Sequence, residues 1–190
     1  MGQPGASLLS KGVPIQKRDI AKAKALLKES GAALPVSVDF MVPKGPENEA
    51  VAQVLQSMAA EAGFDLKIRL IEFATSFKQA QAGEFQVFQI GWSGRIDPDG
   101  NSYVFLHTKA PQNDGGYSNP DADKALEDAR LVTDPAQRKA IYEKLTRTVL
   151  NDEPLIYLYH RKLLIAHTTK LEGYKQMPDG LVRVVGLKLK

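Results

Sequence analysis

Apolar residues recur at helical spacing and then at strand spacing several times over in the first half of the chain. Ile20, Ala23, Leu26 and Leu27 form a stripe at intervals of three and four, with Asp19 as N-cap and Gly31 as stop, which predicts a helix over about residues 20–30. Pro35–Val42 alternates and predicts a strand. Val51, Val54, Leu55 and Met58 mark one face of a second helix, about Glu47–Ala62, ending at Gly63. Leu66–Ile71 alternates again. A short helix near Ser76–Ala82 stops at Gly83, and Phe85, Val87, Phe88 and Ile90 supply the next strand. This β-α-β-α-β order predicts an α/β sandwich with parallel neighbours.

The pattern changes in the second half. Asn119-Pro120 and Asp134-Pro135 introduce helices over about Ala122–Leu131 and Ala136–Asn151, since proline fits the first helical turn, where its missing N–H costs nothing. Leu155–Tyr159 and Lys162–Ala166 read as strands, and Leu181–Leu187 as a further short apolar segment. Residues 1–17, rich in Gly, Pro and Ser, read as an extended entry segment.

Composition narrows the function classes. The 190 residues suit one domain with a tail, and 25 basic against 22 acidic residues leave a net charge of only +3. No basic stripe stands out, which argues against a nucleic-acid partner. Cysteine is absent, so disulfides and thiol chemistry are excluded. No apolar run approaches the roughly 20 residues that span a bilayer, and the first residues lack the charged-then-apolar order of a secretion signal. His107, His160 and His167 are scattered without metal-ligand spacing, so no metal or other cofactor is expected. There is no Gly-x-Ser-x-Gly elbow and no cysteine nucleophile, so no catalytic residue is expected either.

The chemistry concentrates in Phe85–Asn101. A strand pattern runs into a small-residue turn, Gly91-Trp92-Ser93-Gly94-Arg95-Ile96-Asp97-Pro98-Asp99, that carries the single tryptophan. A large aromatic beside small-residue backbone suits a small-molecule pocket, and Trp92 is read either as that contact or as core. Arg95 offers a planar fork matched to carboxylate or phosphate, or else a structural ion pair with Asp97 or Asp99. Asp97 is read first as a turn cap and second as a ligand contact. Ser93, Gly94, Asn101, Tyr103 and Tyr117 complete the candidate ligand-binding set, the tyrosines being equally suited to core packing.

Four further stretches follow this loop in order: Gly116-Tyr117-Ser118-Asn119-Pro120, then Asp121–Arg130, then Thr133-Asp134-Pro135-Ala136-Gln137-Arg138-Lys139-Ala140-Ile141-Tyr142, then Asp152-Glu153-Pro154-Leu155-Ile156-Tyr157-Leu158-Tyr159. Their order and spacing resemble the C-terminal part of the family 5 extracellular solute-binding proteins, the dipeptide- and oligopeptide-type receptors of ABC importers. The resemblance implies an α/β fold: the second lobe of a two-lobe periplasmic-binding-protein-like architecture, a mixed sheet flanked by helices. It implies that residues 18–166 form that lobe and that 167–190 form a tail packing on an N-terminal lobe outside this chain.

By the same resemblance the chain would be a fragment of a longer, non-enzymatic protein that captures a small solute, a peptide or another possibly anionic molecule, and delivers it to ABC permease subunits. The location implied is the periplasm, or the surface of a Gram-positive cell as a lipoprotein. Some relatives carry chelated nickel or haem without direct protein ligation. A ligand sensor or chaperone-like periplasmic protein is the alternative on the same fold, and an enzyme on it a more distant one. Dipeptide-binding relatives place an acid shortly after this tryptophan to meet the peptide amine. Here that position falls on Arg95, which implies selection of an anionic group instead.

Overall fold

The structure, a computed structural model, describes residues 17–159, 162, 164–177 and 180–190. The entry segment expected over 1–17 therefore lies outside the described residues except for Lys17. The chain divides into two compact units, one ending at Trp92 and one beginning at Ser93. That division falls inside the candidate loop.

The first unit is built from α1 (Ile20–Glu29), β1 (Val36–Pro43), α2 (Pro46–Ala60), β2 (Phe64–Ile71), α3 (Phe73–Gln81) and β3 (Val87–Phe88). Its three strands lie in the order β2-β1-β3, and both pairings are parallel. Strand β1 is central, and from Phe40 to Pro43 it is buried without alternation, as a strand covered on both faces must be. Asp39 takes a bidentate fork from Arg69 of β2 (Nη2 to Oδ2, 2.7 Å; Nε to Oδ1, 2.9 Å). Arg69 also donates to Gln79 Oε1 of α3 and to the Glu84 carbonyl, so one guanidinium ties strand, helix and the connection into β3. The hydrogen bonds from Arg69 hold the Asp39 carboxyl below the usual carboxylate range.

The predicted face of α2 differs from the one observed. Val54 and Met58 are exposed, whereas Ala52 and Leu55 meet Phe40, Val42, Leu66 and Ile68. A methyl at Ala52, which is fully buried, lets the helix approach the sheet closely, and that counts for more here than the larger stripe. Likewise Leu26 of α1 stands exposed, and α1 is anchored instead by Arg18, which donates to the Met58 carbonyl at 2.7 Å.

The second unit contains α4 (Asp99–Leu106), α5 (Pro120–Leu131), α6 (Pro135–Asp152) and a small antiparallel pair, β4 (Leu171–Glu172) with β5 (Lys188–Leu189). Parallel and antiparallel pairing thus both occur, in separate sheets. Leu106 of α4, Ala122, Ala125, Leu126 and Ala129 of α5, and Tyr142, Leu145 and Val149 of α6 form its core. Both Pro-introduced helices start where the sequence places them, with Asn119 and Asp134 as N-caps.

Two expected strands do not form. Leu155–Tyr159 carries no strand, and neither do the described residues of 162–166. Strand propensity needs a ladder partner to satisfy the backbone, and these apolar side chains stand in the open, Ile156 at 81% and Leu164 at 88% exposure. Helix α4 and the β4–β5 pair were not anticipated. Among the described residues no helix is long and apolar enough to cross a membrane, and no three metal-ligating side chains gather.

Candidate ligand-binding loop

Trp92, the last residue of the first unit, is 43% exposed, so it is not a core residue. Ser93 begins the second unit, and Gly94 follows at φ 30°, a left-handed turn that favours glycine. The chain then closes on itself around Arg95. The Arg95 N–H donates to Asn101 Oδ1 at 2.6 Å, and Asn101 Nδ2 donates back to the Arg95 carbonyl at 2.7 Å and to the Asp97 carbonyl at 3.1 Å. Nη1 of Arg95 folds over the turn and donates to the carbonyls of Ser93 and Gly94 and to Ser93 Oγ, at 3.1–3.2 Å.

The two acids of the turn are held from behind. Asp97 Oδ1 accepts the Asp99 N–H at 2.8 Å, the expected turn cap. It also takes a bidentate fork from Arg138 of α6, at 2.7 and 2.8 Å. Asp99 takes a second fork from Arg130 of α5, at 2.6 and 2.9 Å. Arg138 further donates Nε to the Ala129 carbonyl, where α5 ends. Two parallel N–H donations fix direction as well as distance, so the loop is registered on the α5–α6 pair at two adjacent points. A cavity of about 100 Å³ lined by Pro98, Pro135, Arg138, Lys139 and Tyr142 lies at this junction; it is far smaller than the roughly 300–1,000 Å³ of a solute pocket.

Tyr103 and Tyr117 pack against the helical core. The Arg130 guanidinium lies 3.3 Å over the Tyr103 ring, whose other neighbour is the stacked His107 imidazole at 4.4 Å. Glu127 meets His107 Nε2 at 3.2 Å. Burial works against the charged ring, but that carboxylate and the Thr108 carbonyl outweigh it, and the His107 pKa is raised. Tyr117 donates its hydroxyl to Asp152 at 2.7 Å, and burial together with that carboxylate pushes its pKa well up. The structure thus gathers Ser93, Gly94, Arg95, Asp97 and Asn101 into one knot, connects Tyr103 to it through Arg130 and Asp99, and sets Tyr117 at the α5–α6 end instead.

Sequence reading missed Arg130, Arg138 and Gly100. Arg138 was visible only as part of an Asp-Pro helix start, and its partner lies 41 residues away. Its spacing of four from Tyr142, whose hydroxyl it reaches at 3.4 Å, was the one local signal.

Comparison with known proteins gives the class to which this arginine-bearing loop and its helices belong. The profile of the bacterial extracellular solute-binding proteins, family 5 (middle part), matches residues 1–114, which include the loop. The chain belongs to this family. It is 32% identical over 165 residues to Di/tripeptide-binding protein 4 of Pseudomonas aeruginosa (strain UCBPP-PA14), covering 82% of this chain and 31% of that one. It is also 32% identical over 174 residues to the dipeptide-binding protein of Escherichia coli (strain K12), covering 86% and 31%. Among solved structures, the oligopeptide-binding protein AppA from Bacillus subtilis in complex with a nonapeptide superimposes with a TM-score of 0.84 at 24% identity, covering 96% of this chain and 40% of that one. The chain therefore spans about a third of the length of these curated relatives.

Proposed function

We propose that the chain is one lobe of an extracellular receptor that captures a small solute and presents it to an ABC permease. The observation that carries this reading is that the arginine-bearing loop lies within the residues matched by the family and is fixed on packed helices rather than left free. A pre-organised loop loses little entropy on binding, which is what a receptor surface needs. In this reading residues 18–166 act as the lobe and 167–190 pack on a further part of the receptor. Trp92 supplies apolar contact, Gly94 allows close backbone approach, and Arg95 selects a carboxylate or phosphate. No chemical step is assigned to the protein, and its place of work is outside the cytoplasmic membrane.

Native mass spectrometry of the full-length receptor, purified without denaturation, tests this. A discrete adduct bearing a carboxylate or phosphate is the expected result, with Arg95→Ala weakening its retention about tenfold or more. A cationic adduct retained equally by Arg95→Ala would return Arg95 to a purely structural role. The 190-residue chain by itself is expected to bind any such solute weakly, because one wall leaves most of a ligand wet.

A further inference from the structure

We propose that Gly100 and Asn101 are positioning residues for Arg95: they set where its side chain stands and do not themselves touch the ligand. This rests on the reading of Arg95 as the anion-selecting residue. Asn101 spends its side-chain amide on the loop's own backbone, accepting the Arg95 N–H and donating to the Arg95 and Asp97 carbonyls. With both backbone groups of Arg95 held by one side chain, the direction in which its Cβ leaves the backbone is fixed.

Gly100, in the first turn of α4, lies under that side chain. A Cβ built on Gly100 would meet Arg95 Cβ and Cγ, each at 3.0 Å. The far end of a long side chain could swing away from such a contact. The Cβ cannot, because Asn101 pins the backbone it grows from, and the Cγ can leave only by rotation about χ1, which carries the guanidinium with it. A methyl at position 100 must therefore either tilt the Arg95 stem or break the Asn101 clasp. Glycine at this position thus leaves the Arg95 stem the room it occupies.

This separates positioning from stability. Alanine is the better helix former by about 1 kcal/mol in a helix interior, and less at a first turn. A position that served helix α4 alone would thus tolerate Gly100→Ala or gain from it, with the Arg95 side chain unmoved. A residue kept for Arg95 would hold its thermal midpoint and lose the placement of the guanidinium.

The test uses the 190-residue chain, isotopically labelled, as wild type, Arg95→Ala, Gly100→Ala, Asn101→Ala and Asn101→Asp. Three quantities are read: the Arg95 Nε–Hε resonance with the exchange rate of its backbone amide, the thermal midpoint, and the preference for trialanine over trialanine amide in NMR titrations. Gly100→Ala is expected to shift the Arg95 resonance and cut the preference for the free carboxylate at least about threefold, with the midpoint unchanged or raised. Asn101→Ala is expected to speed exchange of the Arg95 amide about tenfold or more, and Asn101→Asp, which keeps the acceptor but turns an oxygen onto the Arg95 and Asp97 carbonyls where the amide donated, to recover little of that protection. An unmoved Arg95 resonance in Gly100→Ala, or Arg95 amide exchange unaltered in Asn101→Ala, overturns the proposal. If Arg95→Ala itself leaves the preference intact, the anion-selecting role fails, and the resonance and exchange data still decide the positioning.

Discussion

The Arg138 guanidinium holds the Asp97 carboxyl below its ordinary value of 3.8 through two parallel donations, helped by the Asp99 N–H and opposed by partial burial. A carboxyl whose folded pKa is depressed adds stability above its unfolded pKa and loses it as pH falls through the folded value. His107 has the opposite sign. Its folded pKa is raised above 6.5, so its contribution is complete below 6.5 and is lost as pH climbs through the raised value. Asp97→Asn keeps the oxygen that accepts the Asp99 N–H, removes the charge, and replaces the oxygen facing Arg138 Nη1 by an amide that cannot accept. Because that side chain is more than half exposed, the cost at neutral pH is expected to be modest, about 0.5–1 kcal/mol. It should shrink as the medium is taken toward about pH 3. His107→Gln should cost more near pH 5 than near pH 9, roughly either side of an ordinary imidazole. Urea unfolding across this range checks both. Parallel pH profiles for the two variants would refute the assignment.

At the scale of elements, the second unit depends on the register of α5 against α6. Asn119 caps α5 by accepting the N–H groups of Asp121 and Ala122, and its amide donates to Asp152 at the far end of α6. Asp152 would be poorly placed at a helix C-terminus on charge alone; the Tyr117 hydroxyl and then the Asn119 amide offset that and draw its pKa down. Asn119→Ala is expected to cost about 1–2 kcal/mol, and Leu126→Ala, which empties a fully buried site between the helices, about 2–5 kcal/mol. Denaturant midpoints followed by helical circular dichroism measure both. An Asn119→Ala loss as large as that of Leu126→Ala would mean the Asp152 contact outweighs the cap. The helices were legible in the sequence because their signals are local: Asn-Pro and Asp-Pro starts for α5 and α6, and in the first unit Asp19 three residues before the amide it caps and glycines after the helix ends. The loop was legible as a place but not as a mechanism. Arg130 and Arg138 reach Asp99 and Asp97 from 31 and 41 residues away, and no local spacing encodes such a fork. Leu155–Tyr159 failed for the converse reason: the short apolar run there reads as a strand, but a strand exists only where another offers its edge.

On the scale of the whole chain, the second unit leaves an unusual amount of apolar side chain in water. Ile156, Tyr157, Leu164, Leu181, Val184 and Val185 are all more than 60% exposed, and Val185 is 93% exposed. Single exposed apolar residues need no explanation, but runs of them favour association. The net charge of +3 over 190 residues gives little mutual repulsion between copies. The 190-residue chain is therefore expected to self-associate in a concentration-dependent way, as light scattering after size exclusion would show by a mass rising above 20.8 kDa. Replacing Ile156, Val184 and Val185 by serine should return the mass to that of the monomer without lowering the unfolding midpoint, since none of the three belongs to the helical core. A monomeric wild type at high concentration would mean these segments fold over one another in solution. A triple variant that loses stability would mean they already pack on their own unit. Monomer restored at unchanged stability would instead mark both stretches as surface made to be covered, the behaviour expected of a lobe that works against further protein.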